Sequence, residues 1–84
     1  MPMDFAPSEA LLPLSHLAVG QTGVIARVDV SGPVRRRFLD LGLVTGVAVT
    51  LIQIAPLGDP LVLETRGYRL SMRKADASKI WVKI

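Results

Sequence analysis

Along the chain the apolar positions change their period several times, and each change marks an element. Val24, Ala26, Val28 and Val30 alternate with Ile25, Arg27 and Asp29, the two-residue period of a half-buried strand. Ser31-Gly32-Pro33 ends that strand. The period then lengthens: Val34, Phe38 and Leu41 fall at i, i+4 and i+7, one face of a helix over roughly 33–41. Arg35, Arg36 and Asp40 point away from that face. Pro33 suits the first helical position, where its missing N–H costs nothing. Gly42 is placed to stop the helix by taking a positive φ, with Leu43 covering the end. Gly46 turns the chain into a second strand, 47–54, apolar on both faces as suits the middle of a closed barrel.

The second half is denser in turns. Pro56-Leu57-Gly58-Asp59-Pro60 is a loop whose torsions two prolines restrict and whose bend falls at Gly58-Asp59. Strands over 61–65 and 68–73 flank Arg66-Gly67, a two-residue hairpin turn in which Gly67 takes positive φ cheaply. One helical turn over 75–79 and a last strand over 80–84 complete the chain. Upstream, 13–20 reads as a turn or single helical turn whose Leu14 and Leu17 plug one end of the core. Residues 1–11 sustain no period and read as a flexible leader. About five short strands, with one short α-helix inserted after the first, predict a mainly β fold, a small SH3-like barrel over 12–84.

Composition narrows this further. A chain of 84 residues, 50% hydrophobic but only 5% aromatic, builds one domain around a small aliphatic core. With no cysteine there is neither a disulfide scaffold nor a thiolate metal site, which fits a reducing compartment. The opening MPMDFAPSEALLPL has an acidic balance and three prolines, unlike a signal peptide. The longest apolar stretch, 47–55, falls far short of the ~20 residues that span a bilayer. A soluble, cytoplasmic protein is expected.

Candidate chemistry is sparse. No GxxxxGK[ST] phosphate loop, GxGxxG fingerprint or nucleophile–base pair occurs, so no enzyme is expected. His16, the single histidine, has no carboxylate at a fixed helical spacing and is a weak metal candidate, for iron or zinc at an interface at most. The net charge is +3, concentrated at Arg35, Arg36 and Arg37 and across 66–79. Two readings of the arginine run stand side by side. One is a solvated face with Arg36 paired to Asp40, worth ~0.2–0.5 kcal/mol. The other is docking on an acidic partner through arginine's planar fork. Arg37, nearer the apolar face, can lay its stem over the barrel. Leu57 sits at a proline-stiffened tip with nothing local to cover it, which lowers the entropy cost of binding. Tyr68 and Trp81 read as core or rim residues. Arg69, Arg73 and Lys74 could line phosphates, but the stacking aromatics of a nucleic-acid surface are missing.

Four motifs in order give these features a common context. They are Leu14-x-x-Leu17-x-x-Gly20, Arg36-Arg37-Phe38-Leu39-Asp40-Leu41-Gly42-Leu43-x-x-Gly46, Ala55-Pro56-Leu57-Gly58-Asp59-Pro60 and Arg66-Gly67-Tyr68-x-Leu70-x-x-Arg73. Together they resemble the FeoA family, small cytoplasmic companions of the bacterial ferrous iron transporter FeoB. Thr45 stands where that family usually has proline. The resemblance implies an SH3-like domain with a regulatory or accessory part in ferrous iron uptake. It implies contact with FeoB near its cytoplasmic G domain or gate. From the residues themselves no cofactor is expected, beyond weak or interfacial iron or zinc binding. Joined to the residue reading, it puts docking on Arg35, Arg36, Leu57 and Asp59 and backbone turns on Gly42, Gly46, Gly58 and Gly67. A nucleic-acid-binding barrel, or a metal-sensing module using His16, are the alternatives, and self-association is left open.

Overall fold

In the computed structural model, which describes residues 10–84, the C-terminal strand is threaded between the first two. The elements are β1 (Leu12–Pro13), a tight helical turn (Leu14–His16), β2 (Thr22–Val28), α1 (Gly32–Asp40), β3 (Ala48–Ile54), β4 (Leu61–Thr65), β5 (Tyr68–Met72), α2 (Lys74–Ala77) and β6 (Ile80–Lys83). They form a single antiparallel sheet in the order β1-β6-β2-β3-β4-β5. Most of the expected leader, residues 1–9, lies outside the described residues.

Six strands appear where about five were expected. The extra one is β1, in which Leu12 pairs with Val82 and Pro13 with Trp81. A strand of two residues displays no period, so nothing in the alternation announced it. The helix therefore follows the second strand, not the first.

Two bulges bend the sheet around its core. In β2 the register slips between Ile25 and Arg27, and in β3 between Leu51 and Gln53. Each inserts a residue, which kinks the strand and reverses which side faces inward. This overturns the simple alternation read from the sequence. Ile25 is buried and Val24 exposed, whereas Val28 and Val30, beyond the bulge, pack against the core. In β3 Val49 and Leu51 are buried, whereas Ile54, the last residue of the strand, is exposed.

The core is aliphatic as expected, with Leu14 and Leu17 closing one end against α2 and β6. Phe38 enters it from α1. That helix ends by the expected glycine device: Leu43 N–H donates to Phe38 O at 2.9 Å and Gly42 N–H to Leu39 O at 3.0 Å. Gly42 has φ 81°, and Leu43 and Phe38 are both buried, so hydrogen bonds and apolar contact stop the helix together. Gly46, Gly58 and Gly67 also take positive φ. At the hairpin turn Arg66 joins Gly67 with φ 52°, the pairing that a tight two-residue turn demands.

Gly23 serves a different purpose. It is buried in β2, and a Cβ there would stand 2.7 Å from Val82 Cγ2 on β6. The strands can approach this closely only because position 23 carries no side chain. Gly23→Ala is expected to lower stability by ~1–3 kcal/mol through overpacking, read as a fall in Tm of roughly 4–8 °C per kcal/mol. Gly42→Val should cost ~1–3 kcal/mol through strain at positive φ. An unchanged Tm in thermal unfolding would contradict the corresponding assignment.

Candidate protein-docking surface

The outward face of α1 is positioned by the tip of the β4–β5 hairpin. Tyr68 donates its hydroxyl hydrogen to the carbonyl of Leu41, one of the last turn's carbonyls. The Arg66 guanidinium lies over Gly42, where a Cβ would come within 2.9 Å of Nη1. A cation at that place also suits the negative end of the helix dipole. Arg37 shares a hollow with Ser71 and Met72 of β5 and with Arg73.

Held this way, α1 presents Arg35, Arg36 and Arg37 to solvent. Together with Pro33 and the half-exposed Leu39 they line a shallow hollow on the helix's outer side. The expected Arg36–Asp40 pair is not formed. Among the described residues the ion pairs are Arg27–Asp29 at 3.1 Å and Arg69–Glu64 at 3.6 Å. An exposed pair gains too little to hold two flexible side chains in one geometry. All three arginines therefore keep their donors unused by the described residues.

A second hollow opens where α1, the proline-bracketed loop and the start of α2 meet, lined by Arg37, Asp59, Pro60, Arg73 and Asp76. Asp59 is partly engaged: its Oδ1 accepts a hydrogen bond from Lys74 N–H at 2.9 Å and ties the loop to α2. The loop is braced internally as well, by Gly58 N–H to Ala55 O at 2.7 Å and Ala55 N–H to Pro60 O at 3.1 Å. Its Asp59-Pro60 peptide is cis. At its tip Leu57 is 97% exposed, among the described large apolar side chains the most open to solvent.

The expected docking residues thus separate into neighbouring patches. Arg35 and Arg36 line the outer side of α1, while Asp59 lines the second hollow. The residue that joins the two is Arg37, which the sequence reading kept as a stem over the barrel. Arg73, weighed only as a phosphate contact, was missed as its companion. The signal was present in the Arg66-to-Arg73 motif, but nothing local says that Arg73 shares a hollow with Arg37.

The remaining candidates have structural surroundings. Trp81 Nε1 donates to Asp29 Oδ2 at 3.0 Å, with the Arg27 guanidinium carbon 5.3 Å from its ring centroid. Trp81 and Tyr68 are thus rim residues with satisfied polar tips. His16 is exposed, and no group of three or more His, Cys, Asp or Glu among the described residues is gathered to hold a metal ion. Among those residues no helix is long and apolar enough to cross a membrane.

Comparison with known proteins matches the FeoA domain over residues 12–84. A curated fusion protein of Porphyromonas gingivalis, Fe(2+) transport protein A joined to the Fe(2+) transporter FeoB, is 42% identical over 71 residues. The match covers 84% of this chain but spans only 8% of that protein's length. The solution structure of FeoA from Chlorobium tepidum is 40% identical, with a TM-score of 0.83 over 87% of this chain and 70% of that one. Stenotrophomonas maltophilia FeoA, crystallised with zinc and described as a prokaryotic SH3 domain protein, is 28% identical. Its TM-score is 0.73, over 83% of this chain and 87% of that one. The mainly β, SH3-like reading of the sequence agrees with these folds.

Removing the hairpin's hold on the helix should be measurable. Tyr68→Phe is expected to lower unfolding free energy by ~0.5–1.5 kcal/mol, the net worth of one hydrogen bond. In urea titrations this appears as a lower midpoint with an unchanged slope.

Proposed function

The chain belongs to the FeoA family, and on that premise we propose that it is an accessory protein of bacterial ferrous iron uptake that docks on FeoB. The observation that carries this reading is the Porphyromonas gingivalis relative, in which a FeoA-like part and FeoB are one polypeptide. Covalent linkage makes an encounter intramolecular and raises effective concentration, an arrangement that suits two parts working by contact. We take the docking to occur in the cytoplasm, near the transporter's G domain or gate. The chain contributes shape and charge there, with no turnover of its own.

Leu57 is the proposed apolar anchor. Its loop is braced before any partner arrives, so little ordering entropy remains to be lost on binding. Arg35 and Arg36 supply steering toward an acidic surface, which acts on the rate of encounter more than on affinity. Gly58 and Asp59 hold the tip in place.

Leu57→Asp is expected to keep the wild-type Tm, because the side chain is 97% exposed. It should weaken binding to the soluble cytoplasmic domain of FeoB about tenfold or more, since burying a leucine is worth ~1.5–3 kcal/mol. A titration followed by calorimetry, with and without guanine nucleotide, checks this. Equal affinity of variant and wild type removes Leu57 from the interface. Wild type that fails to bind in every nucleotide state overturns the reading itself.

A further inference from the structure

A pocket of about 440 Å³ opens between β2, α1 and the turn that follows the helix. Its lining is mostly apolar. Ala26 and Val28 of β2, Leu39 of α1 and Val44 of the turn contribute to it, above the buried Phe38 and Leu43. Backbone hydrogen bonds hold these walls together before any ligand arrives. Gly46 N–H donates to Ile25 O at 2.8 Å and Ile25 N–H to Val47 O at 2.9 Å, which ties the turn to β2. Leu43 N–H, donating to Phe38 O at 2.9 Å, ties it to the helix. A preformed apolar cavity of this size lies within the ~300–1,000 Å³ usual for binding sites. Two guanidinium groups also line it and, among the described residues, no carboxylate does. Arg27 is engaged, paired with Asp29 at 3.1 Å and set over the Trp81 ring. Arg35 makes no ion pair or hydrogen bond among the described residues. One cation thus stands uncompensated beside an apolar cavity.

We propose that this pocket seats an apolar side chain of a partner protein, with the carboxylate of an adjacent partner residue on Arg35. The inference rests on the docking reading only in taking the partner to be a protein. An apolar group alone would fill the cavity and strip water from Arg35 without giving it a new partner, which costs free energy. A carboxylate next to that group removes the cost, since the planar guanidinium fork takes it in two hydrogen bonds. A basic neighbour is repelled, because the charged side chains of the lining are both cations. Nucleic acid fits poorly. Bases stack on exposed aromatic faces, and Phe38, the aromatic ring of the lining, is buried. A free alkyl carboxylate offers the same two groups, but a chain segment also extends over Leu39, which is 49% exposed.

The test is a titration of the isotope-labelled protein, followed by its amide NMR shifts, with the end-blocked peptide Gly-Glu-Leu-Gly. The peptides Gly-Gln-Leu-Gly and Gly-Glu-Ser-Gly serve as parallel probes, with sodium isocaproate as a free carboxylate on the same branched alkyl group. The amides of Ala26, Val28, Leu39, Val44 and Thr45 are expected to shift together with the glutamate–leucine peptide. The serine peptide should bind about tenfold more weakly, for want of the buried alkyl group. The glutamine peptide, and the variant Arg35→Gln with the original peptide, should each bind about threefold more weakly, the worth of a partly exposed ion pair. Lys74→Gln removes the same charge from α2, outside this lining, and should change binding less than about 1.5-fold, being a screened surface charge. Both side chains are exposed, so thermal unfolding of the two variants should match wild type. Equal weakening by Arg35→Gln and Lys74→Gln overturns the pocket, reducing it to net charge. Undiminished binding of the glutamine or serine peptide does so too, as do shifts confined to other amides or wild type that responds to no probe. Isocaproate that binds more tightly than the glutamate–leucine peptide, at the same amides, overturns the protein occupant. With the soluble cytoplasmic domain of FeoB as titrant the two proposals separate. FeoB binding that leaves these amides unshifted sinks the pocket alone. Peptide seated here, with no FeoB binding in any nucleotide state, sinks the transporter reading alone.

Discussion

The hold of the β4–β5 hairpin on the end of α1 is the contact on which the outer surface depends. A helix of nine residues is too short to persist by itself in water. Phe38 anchors its inner face in the core, but one buried ring does not fix rotation about the axis or settle the last carbonyls. The Leu43 and Gly42 amides satisfy two of these, and the Tyr68 hydroxyl satisfies that of Leu41. The Arg66 guanidinium then sits over Gly42. Beyond the hairpin tip, the end of β5 shares a hollow with α1, and Arg37 and Arg73 both line it.

Curvature is the second requirement. Six short strands must wrap around a core made chiefly of aliphatic side chains. The bulges in β2 and β3 supply the bend, and Gly23 lets β2 and β6 approach where Val82 fills the space. The threading of β6 between β1 and β2 ties the C-terminal residues to Leu12 and Pro13. Arg27, Asp29 and Trp81 then lock the β2–β6 seam on its outer side.

What was legible in the sequence was local. Pro33 at the start of α1, Gly42 at its end and Arg66-Gly67 in the hairpin each demand a particular backbone, and each demand can be read from a few neighbouring residues. What was not legible depended on residues distant in sequence. The β2 bulge, which puts Ile25 inward and Val24 outward, has no signature in an alternating run of valines. β1 exists only because β6 is there to pair with it. The Arg36–Asp40 pair was allowed by spacing, yet spacing says nothing about solvation winning over a weak contact. In the same way Asp59 looked free in the chain, and only the fold brings Lys74 N–H to it.

Leu57 and the arginines divide the proposed docking between them in a physically consistent way. An exposed leucine has no long-range field, so it adds affinity only after contact, and only if its loop is already shaped. Arginines act over roughly a Debye length, ~8 Å at physiological salt, and so select and orient the partner before contact. Asp59 couples the two functions: it belongs to the loop that carries Leu57, and it lines the hollow that Arg37 and Arg73 also line. Its bond to Lys74 N–H ties the loop to the start of α2, next to Arg73. Such bracing of the backbone suits a protein with little surface to spend, because the loop that carries Leu57 is shaped before contact.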